Sequence, residues 1–163
     1  KLNRKTVWEY PEPSNVGQVL NFIKNETDLG LSIMVVEENN SLEIDIRSAF
    51  ISDFEGLKFV VYLTEYHLFY NQVNYTQYYD GLDILIDFEH NNVLRKVLTD
   101  LFGDAIPSEN SKTGGAFEQH FSIAIPNTVS NTDNLNVVAF IVDATGEVLN
   151  VQSTPINTYK NYD

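Results

Sequence analysis

Apolar–polar alternation constrains this chain more than any other feature. Leu42, Ile44 and Ile46 alternate with Glu43, Asp45 and Arg47, as a strand with one buried face requires. The period recurs where Leu57, Phe59, Val61 and Leu63 alternate with Lys58, Val60, Tyr62 and Thr64. It recurs again where Phe117, Phe121, Ile123 and Ile125 oppose Glu118, His120 and Ser122. Leu31 to Val36 is an apolar run rich in branched residues, and Leu135 to Val142 is nearly continuous, which suits a central strand. Polar turns fall at 37–41 and 53–56. Asp143-Ala144-Thr145-Gly146 reads as a hairpin turn whose glycine takes positive φ, with Val148 to Val151 as the return strand. These elements predict a mainly β fold, an antiparallel β-sandwich of Ig-like or jelly-roll-like type over 31–152. Phe59, Val61, Leu63, Ile123, Ile125, Val138 and Phe140 are expected inside it.

Residues 1–30 differ in style. An extended start from Leu2 to Trp8 precedes Pro11, Pro13 and Ser14, a plausible N-cap. Val16, Val19, Leu20 and Ile23 follow at helical spacing, predicting a helix over 14–25, and Gly30 fits a boundary. This short strand-helix segment has one apolar stripe that needs a partner surface. Residues 104–116 read as a mobile loop, and 153–163 as a tail without a core signal.

The 163 residues suffice for one full core. The net charge of −13 argues against nucleic acid, because neutralising phosphates needs Lys and Arg. It argues equally against docking on anionic lipid through a basic patch. Solubility is the plain reading of the acidity, and calcium binding the sharper one. No cysteine is present, so thiol and disulfide chemistry are absent. No window approaches the roughly 20 apolar residues that span a bilayer. The chain begins at Lys1 without a signal peptide, so a targeting segment is expected outside it.

Residues 65–92 form a long aromatic stretch without clear period, and long connections are often functional. Tyr66, Tyr70, Tyr75, Tyr78 and Tyr79 are the candidate ligand or partner contacts, since tyrosine joins apolar area to a polar tip. The competing reading is that they cover a sheet face. His90 with Asp87 and Glu89 offers imidazole and carboxylates, but no third and fourth metal ligand follows, and no metal or cofactor is expected. Arg95 is a candidate ion-pair anchor with Glu65 as first partner, against a solvated arginine. His67, His90 and His120 lack a nucleophile elbow beside them, and no Asp-x-Asp-x-Asp-Gly loop exists. The chain is read as non-catalytic.

One set of fragments, in order, resembles a known family. Val61-Tyr62-Leu63-Thr64-Glu65, Gln72, the run His90-Asn91-Asn92-Val93-Leu94-Arg95, Thr99 to Phe102-Gly103, and Leu135 to Ile141 ending in Glu147-Val148-Leu149 are collinear. They resemble the Bacteroidetes outer-membrane lipoproteins typified by the twenty-eight-kilodalton outer membrane protein. Asn92 stands where that family has a second histidine, and Phe102 where it has tryptophan. The resemblance implies that 1–30 is the remnant of a preceding thioredoxin-like domain, whose catalytic cysteines would lie upstream. It implies a structural role for Glu65, His90 and Arg95. It implies an outer-membrane or cell-surface adhesion or interaction module, with a carbohydrate-binding sandwich as the alternative. The partner would be a surface protein or glycan, and the membrane would be met only through a lipid anchor outside this chain. Over 93–102 the spacing favours a helix, whereas the β-rich surroundings and the resemblance favour a strand, which is the assignment adopted.

Overall fold

The alternating segments pair into two antiparallel sheets packed face to face, in a computed structural model that describes residues 2–4, 6–7, 16–21 and 27–162. Among these residues the strands are β1 (Leu29–Glu38), β2 (Ser41–Phe50), β3 (Lys58–Glu65), β4 (Leu68–Val73), β5 (Ile84–His90), β6 (Val93–Val97), β7 (Asp104–Ala105), β8 (Ala116–Ala124), β9 (Leu135–Val142), β10 (Val148–Pro155) and β11 (Thr158–Lys160). One sheet has the order β11-β1-β2-β8, and the other β10-β9-β3-β6 with β7 also on β3. The β1–β2 hairpin turns on Asn39 and Asn40 at φ 51° and 62°. A two-residue hairpin loop of this kind needs left-handed backbone, which asparagine tolerates.

The core is where the alternation places it. Leu31, Ile33 and Val35 with Leu42, Ile44 and Ile46 face Phe59, Val61 and Leu63 with Val137, Ala139 and Ile141. β9 lies between β10 and β3, and its outer face is covered as well. There Val60, Phe140 and Val142 form a second cluster flanked by Tyr62, Val138 and Val148. Phe140 is buried as expected, but in this second cluster and not between the sheets, edge-on to Tyr62 at 5.4 Å between centroids and 5.6 Å below the Arg4 guanidinium. A continuous apolar run hides which residues share a face, so the sequence could not place that ring. Ile123, Ile125 and Val138 are half-buried, the first because β8 is a sheet edge.

The described residues at the start turn back on themselves and do not run extended. Leu2 and Thr6 pair across Asn3 and Arg4, which take φ 47° and 60°. Trp8, Pro11, Pro13, Ser14 and Ile23 lie outside the described residues. The helical pattern survives as α1 (Val16–Leu20), with Val19 half-buried and Leu20 exposed. The strand that the sequence began at Leu31 starts two residues earlier and takes in Gly30. That glycine sits inside β1, where the Tyr162 ring lies 3.0 Å from the point a Cβ would occupy.

Two further expectations change. Ser153–Pro155 extends β10, Thr154 and Ile156 are buried, and β11 pairs with β1, so the supposed tail closes one end of the core. In 104–116, β7 pairs with β3, Ile106 is buried, and the buried Ser111 hydroxyl donates to the Phe54 carbonyl at 2.9 Å. Its isolated polar residues are turn ligands, not signs of a free loop. The ambiguous stretch is a strand over 93–97 paired with β3, and it turns at 98–103.

Candidate functional site

The long aromatic stretch is a two-stranded ribbon. Among the described residues β4 and β5 pair with each other and with no other strand. Partners opposite one another share a face, so Leu68, Tyr70, Gln72, Leu85, Phe88 and His90 lie on one side. That side covers itself. Leu68 and Leu85 are buried, Phe88 packs edge-on against His90 at 5.3 Å and against Tyr79 at 6.1 Å, and Tyr70 lies 6.3 Å from His90. The opposite side is bare: Phe69, Val73, Ile84 and Ile86 are 57%, 49%, 50% and 69% exposed. β5 carries an extra residue at Asp87, which takes φ 51° and bulges the strand.

The ribbon's tip is organised by Asn74. Its amide donates to the carbonyls of Tyr78 and Leu82, both at 2.9 Å, and its side-chain oxygen accepts from Thr76 N–H and hydroxyl. Tyr79, Asp80 and Gly81 all take positive φ, and Tyr75 is 93% exposed. A tyrosine held left-handed is strained, and such strain tends to collect at working sites.

At the root, two short joints connect ribbon to sandwich. Tyr66-His67 leads in and Asn91-Asn92 leads out, with His67 at φ 54° and Asn92 at 58°. His67 N–H donates to Asn91 Oδ1 at 3.0 Å, and His67 Nδ1 lies 2.5 Å from Glu89. Beside the joint, Glu65 is fully buried. It accepts from Arg95 Nε at 2.6 Å and from the Ser130 and Asn131 N–H groups at 2.9 and 2.8 Å. Arg95 is thus paired with the carboxylate first proposed for it, and the loop before β9 is tied to β3 and β6. A cleft of about 340 Å³ opens here, lined by Tyr66, His67, Asp133, Asn134 and Asn136.

The segment Thr99 to Gly103 explains itself on the same sheet. The Thr99 hydroxyl accepts from Val61 N–H at 3.2 Å as β6 leaves β3. Gly103 returns at φ 97° so close to β3 that a Cβ would lie 2.8 Å from Val60 Cγ2. β7 then pairs with Lys58 and Phe59. A side chain at 103 meets both a forbidden backbone conformation and a filled space.

A charged ladder crosses the outer face of the other sheet. His120 reaches Asp45 through Nδ1 at 2.8 Å and Glu43 through Nε2 at 3.1 Å, while Ser122 donates to Glu43 at 2.7 Å. The hydrogen bond to Asp45, with the charges of Asp45 and Glu43, raises the His120 pKa above its ordinary value. Arg47 pairs with Glu118, whose hydrogen bond and charge raise the guanidinium pKa. The carboxylates hold opposite ends of the imidazole, so the three groups do not converge on one point. Among the described residues no group of three or more His, Asp or Glu is placed to hold a metal ion.

Of the tyrosines singled out by sequence, Tyr70, Tyr75, Tyr78 and Tyr79 are exposed on the ribbon. Tyr66 is half-buried at the root, where its hydroxyl accepts from Asn136 at 3.3 Å. Glu89 and His90 fall on opposite ribbon faces, and the bulge turns Asp87 out of register, so the three do not assemble. Sequence reasoning counted Phe69 among the aromatics of the stretch but missed Val73, Ile84 and Ile86. Their signal is an apolar pairing across a long polar tip, which no turn dipeptide announces.

Residues 1–160 match the family described as outer membrane protein Omp28. No curated protein matches the chain by sequence. Among solved structures, HBP35 of Porphyromonas gingivalis superposes with a TM-score of 0.66 at 13% identity, over 88% of this chain and 46% of its own length. The chain therefore spans less than half of that protein, and the likeness is one of fold. A domain of the outer membrane lipoprotein Omp28 from Porphyromonas gingivalis is also similar, at 15% identity and a TM-score of 0.49 over 83% of this chain and 93% of that one.

Proposed function

The chain belongs to the outer membrane protein Omp28 family, and from that premise we propose that it is a non-catalytic interaction module of a cell-surface lipoprotein, working through its ribbon. The observation that carries the reading is the ribbon itself. It presents Phe69, Val73, Ile84, Ile86 and the tip tyrosines to solvent, and among the described residues its strands pair with no other strand. Exposed apolar patches of this kind mark interaction sites, and aromatic residues dominate interface energetics. The sandwich beneath serves as a rigid stand.

A second reading, a carbohydrate-binding sandwich, is favoured by the root cleft. Tyr66 beside Asp133, Asn134 and Asn136 offers an aromatic surface next to amide and carboxylate groups. The two separate by mutation. Replacing Tyr75, Tyr78 and Tyr79 together by Ser should abolish attachment to a protein-bearing surface and leave the melting temperature unchanged. Loss of glycan-array binding on Tyr66→Ala and Asn136→Ala, with the tip variant binding normally, would favour the cleft. Retention of attachment by the tip variant removes the ribbon reading.

A further inference from the structure

We propose that the ribbon receives an extended, cationic protein segment that adds as a strand beside β4. This rests on the interaction reading above and names the partner's chemistry. Three features of the ribbon converge on it.

The first is charge. Residues 66–92 contain no Lys or Arg and carry Asp80, Asp83, Asp87 and Glu89, on a chain of net charge −13. Among the described residues no cation pairs with Asp80, Asp83 or Asp87. Anionic lipids and nucleic acids are repelled by such a surface, whereas a basic segment is steered toward it.

The second is the edge. β4 is Leu-Phe-Tyr-Asn-Gln-Val, without charge or proline, and no strand among the described residues covers its outer side. Sheet edges are ordinarily blunted by charges, prolines or bulges, because their free N–H and C=O groups template pairing. β5 is blunted in this way by its bulge and by Asp87 and Glu89. β4 carries one lighter cap, the Gln72 amide donating to the Val73 carbonyl at 2.7 Å, so it is the side more open to strand addition.

The third is the face. Phe69 and Val73 lie on β4 itself and share a side with Ile84 and Ile86. A strand beside β4 would place alternate apolar side chains against this bare face. Its remaining side chains would carry cations toward the acidic rim.

The test uses labelled octapeptides and this chain. One peptide alternates Lys and Val, the second alternates Glu and Val, and the third is the Lys/Val peptide N-methylated on alternate amides. The Lys/Val peptide should bind at least about tenfold more tightly than the Glu/Val peptide, and lose affinity as salt rises. N-methylation should remove binding, and amide resonances of β4 should shift more than those of β5. Phe69→Ser with Ile86→Ser should weaken binding about tenfold or more, since an apolar anchor contributes on that scale. Asp83→Asn with Asp87→Asn should weaken it and flatten the salt dependence, a result that stands even if the first variant melts early. Equal binding of the Lys/Val and Glu/Val peptides, binding by the N-methylated one, or indifference to both ribbon variants overturns the proposal. If no peptide binds while the tip tyrosine variant still abolishes surface attachment, strand addition is wrong and the interaction reading stands. Binding of a neutral glycan in place of the peptides also overturns it.

Discussion

At Glu65 one buried carboxylate accepts from a guanidinium and from two backbone N–H groups. Burial makes each contact matter, because removing one partner leaves the others unsatisfied in a low dielectric. Glu65→Ala is expected to cost roughly 3–5 kcal/mol in a urea melt, the range for breaking a buried pair from one side. Arg95→Lys should recover only part of the loss from Arg95→Ala, because an ammonium lacks the guanidinium's directed Nε–H. The His120 clamp gives a prediction with a sign. Its folded-state pKa is raised, so the stability it adds is fully present below the unfolded value of about 6.5 and is lost as pH rises through the folded value. An NMR titration of the His120 ring should have its midpoint above that of an unfolded peptide. A midpoint at or below it would remove the clamp. Asp53 runs the other way. Hydrogen bonds from the Thr113 N–H and hydroxyl depress its pKa, so its contribution holds above the ordinary carboxylate range and fades as acid takes pH down through the folded value.

Among the described strands, those of the ribbon stand outside both sheets of the sandwich. β9 is hydrogen-bonded to β3 on one side and β10 on the other and buried on both faces, whereas β4 and β5 have only each other. A two-stranded hairpin is marginal by itself in water, so its opening should cost less than global unfolding. Native-state hydrogen exchange should show the ribbon amides exchanging well before those of β1, β2 and β9. Equal protection would mean that the ribbon is part of the core's cooperative unit and would weaken its use as a separate arm. The same pattern explains why the joints are short. His67 and Asn92 each turn the chain with positive φ, and both residue types are enriched in that region. The asparagine at 92 is read here as a backbone device, whereas the sequence suggested only a lost imidazole.

For the whole molecule, the net charge sets the condition under which everything else is measured. At −13 on 163 residues, self-repulsion opposes the compact state. Raising salt from low to physiological levels should therefore raise the melting temperature at neutral pH, while weakening any cationic partner's grip on the ribbon. Opposite responses of stability and binding to one variable separate the two effects in a single titration series. A melting temperature that falls with salt would show that the surface pairs, among them Arg47–Glu118 and Lys112–Glu55, outweigh the repulsion.

The alternation at Leu42–Arg47, Leu57–Thr64 and Phe117–Ile125 determined the sandwich, because a side-chain period of two can bury only one face of a strand. Hydrogen-bonding turn residues likewise marked the 143–146 hairpin. Glu65 and Arg95 were legible as a pair because an arginine on a half-buried strand needs a carboxylate. The ribbon was not legible, for the same reason that the strands were. Alternation records a buried face set against a polar one, and a strand pair with apolar side chains on both its covered and its bare side writes no such record. Which way Phe140 points was hidden for the converse reason: β9 is apolar on both sides, so its residues carry no mark of face. The edge of β4, the bare patch of Phe69, Val73, Ile84 and Ile86, and the arrival of the 130 and 131 N–H groups at the Glu65–Arg95 pair exist only once distant segments are brought together, and tertiary structure alone decided them.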